Sequence, residues 1–165
     1  MSIRVVILNG PNLNLLGVRE PRIYGSTTLA SIESGCRRFA EALRVSLTFR
    51  QSNHEGVLVD WVQQARDQAD GLIVNPAAYT FTSVALLDAL KMFDGPIIEL
   101  HISNIHAREA TYHHSRVSPV ASAVICGLGA YGYLVALQSM AQMLGALPDD
   151  AKLPAPTCPT GEDQR

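Results

Sequence analysis

A chain of 165 residues falls in the range of one domain and is long enough to bury a proper core. Hydrophobic residues make up 47% and charged residues 17%, which excludes a disordered chain. The formal net charge is −2 and no basic run stands out, so nucleic acid is not the expected partner.

The pattern alternates strand and helix. Residues 3–8 form a continuous apolar run of strand length, as expected when both faces of a sheet are covered. Residues 9–27 are rich in Gly, Pro and Asn and carry no periodicity; a loop this long inside a compact domain is usually functional, often a lid. Thr28 can cap a helix over residues 29–44, with Ile32, Cys36, Phe39 and Leu43 on one stripe. Residues 45–51 alternate like a strand near a sheet edge. A second helix spans residues 55–69, with Leu58, Val62 and Ala65 inward, and residues 71–75 give a third strand. Thr82 or Ser83 can start a helix that ends near Phe93, before the Asp94-Gly95-Pro96 turn. Residues 97–102 read as a fourth strand and residues 103–119 as a second irregular stretch. That stretch carries His106, His113, His114, Arg108 and Arg116. Residues 120–127 are the fifth strand and residues 130–144 the last helix. The expectation is a single domain over residues 1–147, with a loose, proline-rich tail over 148–165.

Five strands joined by helical crossovers imply a doubly wound parallel sheet with helices on both faces. Ligands in such folds bind at the carboxyl ends of the strands. Here those ends read Asn9-Gly10-Pro11-Asn12, Gln51-Ser52-Asn53-His54, Asn75-Pro76 and His101-Ile102-Ser103-Asn104. Asn and Ser also cap helices, but hydrogen-bonding side chains at all four ends point to a site.

Glu99 and His101 are two apart on a strand and so face the same way. A carboxylate beside an imidazole can fix its tautomer and favour its charged form, giving an acid usable near neutral pH. A structural ion pair is the plainer alternative, yet a glutamate buried in a parallel strand needs a strong reason. Tyr24 lies in the lid with Arg19 and Arg22. A free tyrosine, with a pKa of about 10, is a poor base at pH 7, and a guanidinium nearby would favour its phenolate. Composition alone reads Tyr24 as a turn residue.

Gly127-Leu128-Gly129-Ala130-Tyr131-Gly132 has the spacing of a dinucleotide loop. It follows the last strand, and no further strand supplies an acidic residue at its end. Those glycines therefore read as permitting a tight turn and close helix packing. His101, His106, His113 and His114 match no usual metal spacing. Cys36, Cys126 and Cys158 are far apart, odd in number and in no Cys-x-x-Cys pair, so neither a disulfide framework nor a thiolate metal site is expected. With no signal peptide and no run near the roughly 18 apolar residues of a membrane span, the expected setting is the cytoplasm, without a membrane partner.

Several blocks resemble the type II 3-dehydroquinate dehydratases. They are Leu8-Asn9-Gly10-Pro11-Asn12-Leu13-Asn14-Leu15-Leu16-Gly17, Arg19-Glu20-Pro21, Tyr24-Gly25 and Gln51-Ser52-Asn53-His54-Glu55-Gly56. Ile73-Val74-Asn75-Pro76, the run from Glu99 through His101 and Ser103 to Glu109, and His113-His114-Ser115 belong with them. The resemblance implies a flavodoxin-like fold, a homododecamer built from trimers, and no metal or organic cofactor. It implies anti elimination of water from 3-dehydroquinate, a cyclic keto acid, through an enolate. Tyr24 would then be the base and Arg19 would hold it as a phenolate. His101 would be the general acid, oriented by Glu99, and Asn12 would serve the enolate oxygen. Asn75, Ser103 and the Ile102 backbone would hold the substrate carboxylate and its neighbouring hydroxyl, and Asp88 would approach a site across a subunit boundary.

Two positions depart from the family pattern. Phe81 stands where the family usually has histidine, and Tyr112 where it usually has arginine. Both of the usual groups recognise the hydroxyl end of the ring. Two alternatives follow: the same chemistry on a related cyclic keto acid with altered ring hydroxyls, or a non-catalytic relative that binds a ring acid.

Overall fold

The structure, a computed structural model, describes residues 2–18 and 27–147; expectations that fall on Arg19, Tyr24 and the 148–165 tail lie outside the described residues. Ile3–Asn9 (β1), Val45–Gln51 (β2), Gly71–Asn75 (β3), Ile97–His101 (β4) and Ala123–Cys126 (β5) form a five-stranded sheet. All neighbours run parallel, in the order β2-β1-β3-β4-β5. This is the flavodoxin-like order, and it puts β2 at an edge as its alternation predicts.

Leu29–Ala42 (α1) begins at Thr28, whose hydroxyl accepts from the Ser31 amide at 3.2 Å. Its stripe of Ile32, Cys36 and Ala40 is buried. Together with Tyr131–Met143, called α5 below, it covers the sheet face that carries Val5, Ile7, Ile73 and Ile98. Burial, with the charge of Glu33, pushes the Cys36 thiol up to about 12, so it is a small apolar filler and not a nucleophile. Glu55–Gln68 (α2) lies on the other face with Leu58 and Val62, against Val6, Leu8, Leu72 and Val74. The single turn Tyr79–Thr82 (α3) is followed by Val84–Leu90 (α4), which Ser83 caps by accepting from the Leu86 amide at 2.8 Å.

The expectations fail at boundaries. The fourth helix stops at Leu90 instead of near Phe93, since the Met92 and Phe93 amides reach only three residues back, in tighter turns. Four residues are too few to show a helical period, so α3 left no signal. The fifth strand begins at Ala123 instead of Val120, because the 3₁₀ turn over Ser118–Val120, with Pro119 inside it, takes in the first residue expected as strand. The fourth strand ends at His101, one residue early.

Register brings the strand ends together. Asn9 pairs with Gln51 on one side and Asn75 on the other. Beyond them the Gly10 amide donates to the Asn75 carbonyl at 2.8 Å. A Cβ on Gly10 would lie 2.4 Å from the Pro76 carbonyl oxygen. Backbone cannot swing aside as a side chain can. Gly10→Ala is therefore expected to destabilise by about 1–3 kcal/mol, the usual range for overpacking. A fall in the thermal midpoint checks this, and an unchanged midpoint would contradict the close approach.

Candidate active site

At the carboxyl ends of β1, β3 and β4 lies a cavity of about 130 Å³. Its polar lining is Asn12, Asn75, His101, Ser103, Arg108 and Tyr112; Leu13, Leu16, Phe81 and Ile105 supply much of the apolar lining. Of the expected site residues, four line it: Asn12, Asn75, His101 and Ser103. Glu99 stands behind His101, fully buried. Ile102 is buried just outside the lining, with its carbonyl taken by the Gly129 amide at 3.0 Å. Asp88 is exposed on α4, paired with Lys91 at 3.1 Å and away from the cavity.

The imidazole is held from behind. His101 Nε2 meets Glu99 Oε1 at 2.8 Å. Among the described residues Nδ1 has no partner, and the ring reaches the cavity. The Glu99 carboxylate also accepts from the hydroxyls of Thr80, Ser115 and Ser118. Burial alone would raise the Glu99 pKa. Hydrogen bonds from His101, Ser118 and Thr80, with the imidazolium charge, outweigh it and hold the carboxyl below its ordinary value of 4.5. A carboxylate so placed holds the imidazole in one orientation.

Asn12 enters by its backbone. It sits in the left-handed region at φ 67°, which asparagine tolerates better than most residues. Its amide donates to Asn53 Oδ1 at 2.9 Å, and Gln51 Nε2 donates to the same oxygen at 3.0 Å. Tyr79 in turn donates its hydroxyl to the Asn53 carbonyl at 2.8 Å. Asn53 thus braces the first loop and is not itself part of the lining. Among the described residues the Asn12 side chain has no partner, which leaves its amide for a ligand.

Asn75 is aimed by a residue that the sequence reading did not single out. Tyr133, on α5, is fully buried; its hydroxyl donates to Asn9 Oδ1 at 2.7 Å and accepts from Asn75 Nδ2 at 3.0 Å. Asn75 Oδ1 accepts from the Ala77 amide at 3.3 Å. One Nδ2 hydrogen therefore remains for the cavity. Burial raises the Tyr133 pKa, so the hydroxyl stays neutral and donates. Tyr133→Phe strands Asn9 Oδ1 and one Asn75 hydrogen, at roughly 1–3 kcal/mol. The expected result is a lower urea midpoint with an unchanged m-value. An unmoved midpoint would contradict the bridge.

Thr80, Ser115 and Ser118 were also missed. Hydroxyls in loops and short turns are too common to be a signal, although a buried Glu99 demands donors from somewhere. The glycines at 127 and 129 have φ of 85° and 61°, and Gly132 packs toward Leu100, so they serve turning and close packing as expected. Among the described residues no helix is long and apolar enough to cross a membrane.

The sequence matches the family described as Dehydroquinase class II over residues 3–141. It is 54% identical over 140 residues to "3-dehydroquinate dehydratase 1" of Agrobacterium fabrum, covering 85% of this chain and 97% of that one. It is 54% identical over 141 residues to "Catabolic 3-dehydroquinase 1" of Neosartorya fischeri, covering 86% and 90%. The solved type II dehydroquinase of Propionibacterium acnes superposes with a TM-score of 0.83 at 42% identity, covering 86% of this chain and 97% of that one. With the whole sheet and the residues at its strand ends inside the matched region, the chain belongs to the class II dehydroquinase family.

Proposed function

We propose that this protein is a hydro-lyase that removes water from 3-dehydroquinate to give 3-dehydroshikimate. The observation that carries the reading is the Glu99–His101 pair, a buried carboxylate behind an imidazole that opens on a cavity lined by amides. His101 is the general acid: it gives its proton to the departing hydroxyl, which leaves as water. Tyr24, with Arg19 favouring its phenolate, is the base that takes the proton beside the ketone. Asn12 serves the enolate oxygen between the two steps, because charge that develops on an oxygen is best met by a preset donor. Asn75 Nδ2, Ser103 and the Ile102 backbone hold the substrate carboxylate and its neighbouring hydroxyl.

Tyr24→Phe tests the base. Turnover of 3-dehydroquinate should fall by at least about a hundredfold, the lower bound for general base catalysis, while thermal stability is unchanged. Undiminished turnover would remove Tyr24 from the mechanism. A protein that binds a ring acid but never turns it over would instead favour a non-catalytic relative.

Assembly belongs to the same reading: a homododecamer built from trimers. Asp88 supports it, since it lies one helical turn after Val84 and shortly before Met92, just past the helix end, and these two are 52% and 42% exposed. Exposed apolar residues around one acidic group suit a face that a second subunit covers. Light scattering that gave a monomer would contradict it.

A further inference from the structure

Resting on that reading, we infer that the site also takes ring acids of the same 1-hydroxy-3-keto pattern that lack the two hydroxyls not consumed in the elimination. The warrant is the wall beside His101. The Phe81 ring lies 6.3 Å from the imidazole, inclined by only 21°, and meets the Tyr112 ring edge-on at 5.4 Å. The Arg108 guanidinium carbon stands 3.9 Å over the Tyr112 ring. Phe81, Tyr112 and Arg108 all line the cavity. These contacts hold the aromatic pair together, so among the described residues this wall of the cavity presents an aromatic face and no fully buried donor or acceptor.

This decides specificity through a difference in free energy. A site that buries partners for a substrate hydroxyl rejects the analogue without it by about 10⁴–10⁵, because the partners are left unpaired. An apolar wall leaves nothing unpaired. Tyr112 and Arg108 do carry polar groups, but both residues are only half-buried, and polar groups within reach of water need not go unpaired when no hydroxyl is present. Phe81 and Tyr112 also stand where the family resemblance leads one to expect histidine and arginine.

The test compares kcat/KM of purified protein on 3-dehydroquinate and on 1-hydroxy-3-oxocyclohexane-1-carboxylate, by absorbance of the conjugated enone product. The expected ratio, analogue over 3-dehydroquinate, is above about one tenth. A ratio below that, with 3-dehydroquinate turned over well, overturns the inference and leaves the dehydratase reading standing. Turnover of neither substrate by folded protein sinks both. The double variant Phe81→His, Tyr112→Arg should lower the ratio at least tenfold; a variant that folds and leaves the ratio unmoved also overturns the inference. If the variant does not fold, the wild-type ratio alone decides.

Discussion

Replacing His101 by alanine is expected to lower kcat on 3-dehydroquinate by about 10²–10⁴-fold, the span that a positioned general acid contributes. The protein should nonetheless stay folded. Glu99 would keep three hydroxyl donors, from Thr80, Ser115 and Ser118, so its carboxylate is not stranded when the imidazole goes. KM should change less than kcat, because the groups assigned to the carboxylate and enolate oxygen (Asn75, Ser103, the Ile102 backbone and Asn12) stay in place when the imidazole goes. A kcat within tenfold of wild type would take His101 out of the acid's role. A collapse in melting temperature would instead make the residue structural.

Glu99 gives the second large effect, and its signature differs. Glu99→Ala removes the acceptor shared by one imidazole and three hydroxyls in a spot with no solvent access. Breaking such a buried pair costs about 3–5 kcal/mol, so a marked fall in the unfolding midpoint is expected along with lost activity. Glu99→Gln keeps the shape and removes the charge, which isolates a pH effect. The folded-state pKa of Glu99 is depressed below 4.5. Its contribution to stability is thus fully present above about pH 4.5 and is lost as pH falls through the lower folded value. Wild type should lose stability on acidification across that window more steeply than Glu99→Gln. Asp70, held low by hydrogen bonds from Arg4, acts with the same sign in both proteins and cancels from the difference. Parallel acid profiles would mean that Glu99 carries no charge in the fold.

Much of this site was legible because strand periodicity is strict. Glu99 and His101, two apart on a short strand, had to share a face. Asn12, Asn75 and Ser103 follow strand ends, where a doubly wound sheet puts its ligands. What escaped was long-range. Tyr133 lies 58 residues from Asn75 and 124 from Asn9. Its one local mark is a hydroxyl set in an otherwise apolar helix face beside Ala136, Leu137 and Met140. Thr80 reaches Glu99 from a single helical turn too short for any period to register. Phe81 and Tyr112 were each visible as departures from the family pattern. That they pack on each other, and on His101 and Arg108, needed the fold.

Purified protein should be given 3-dehydroquinate and followed by the ultraviolet absorbance of the conjugated enone. Sustained turnover is expected, with kcat in the usual enzyme range of about 1–1,000 per second. A folded protein that leaves 3-dehydroquinate unchanged would contradict it.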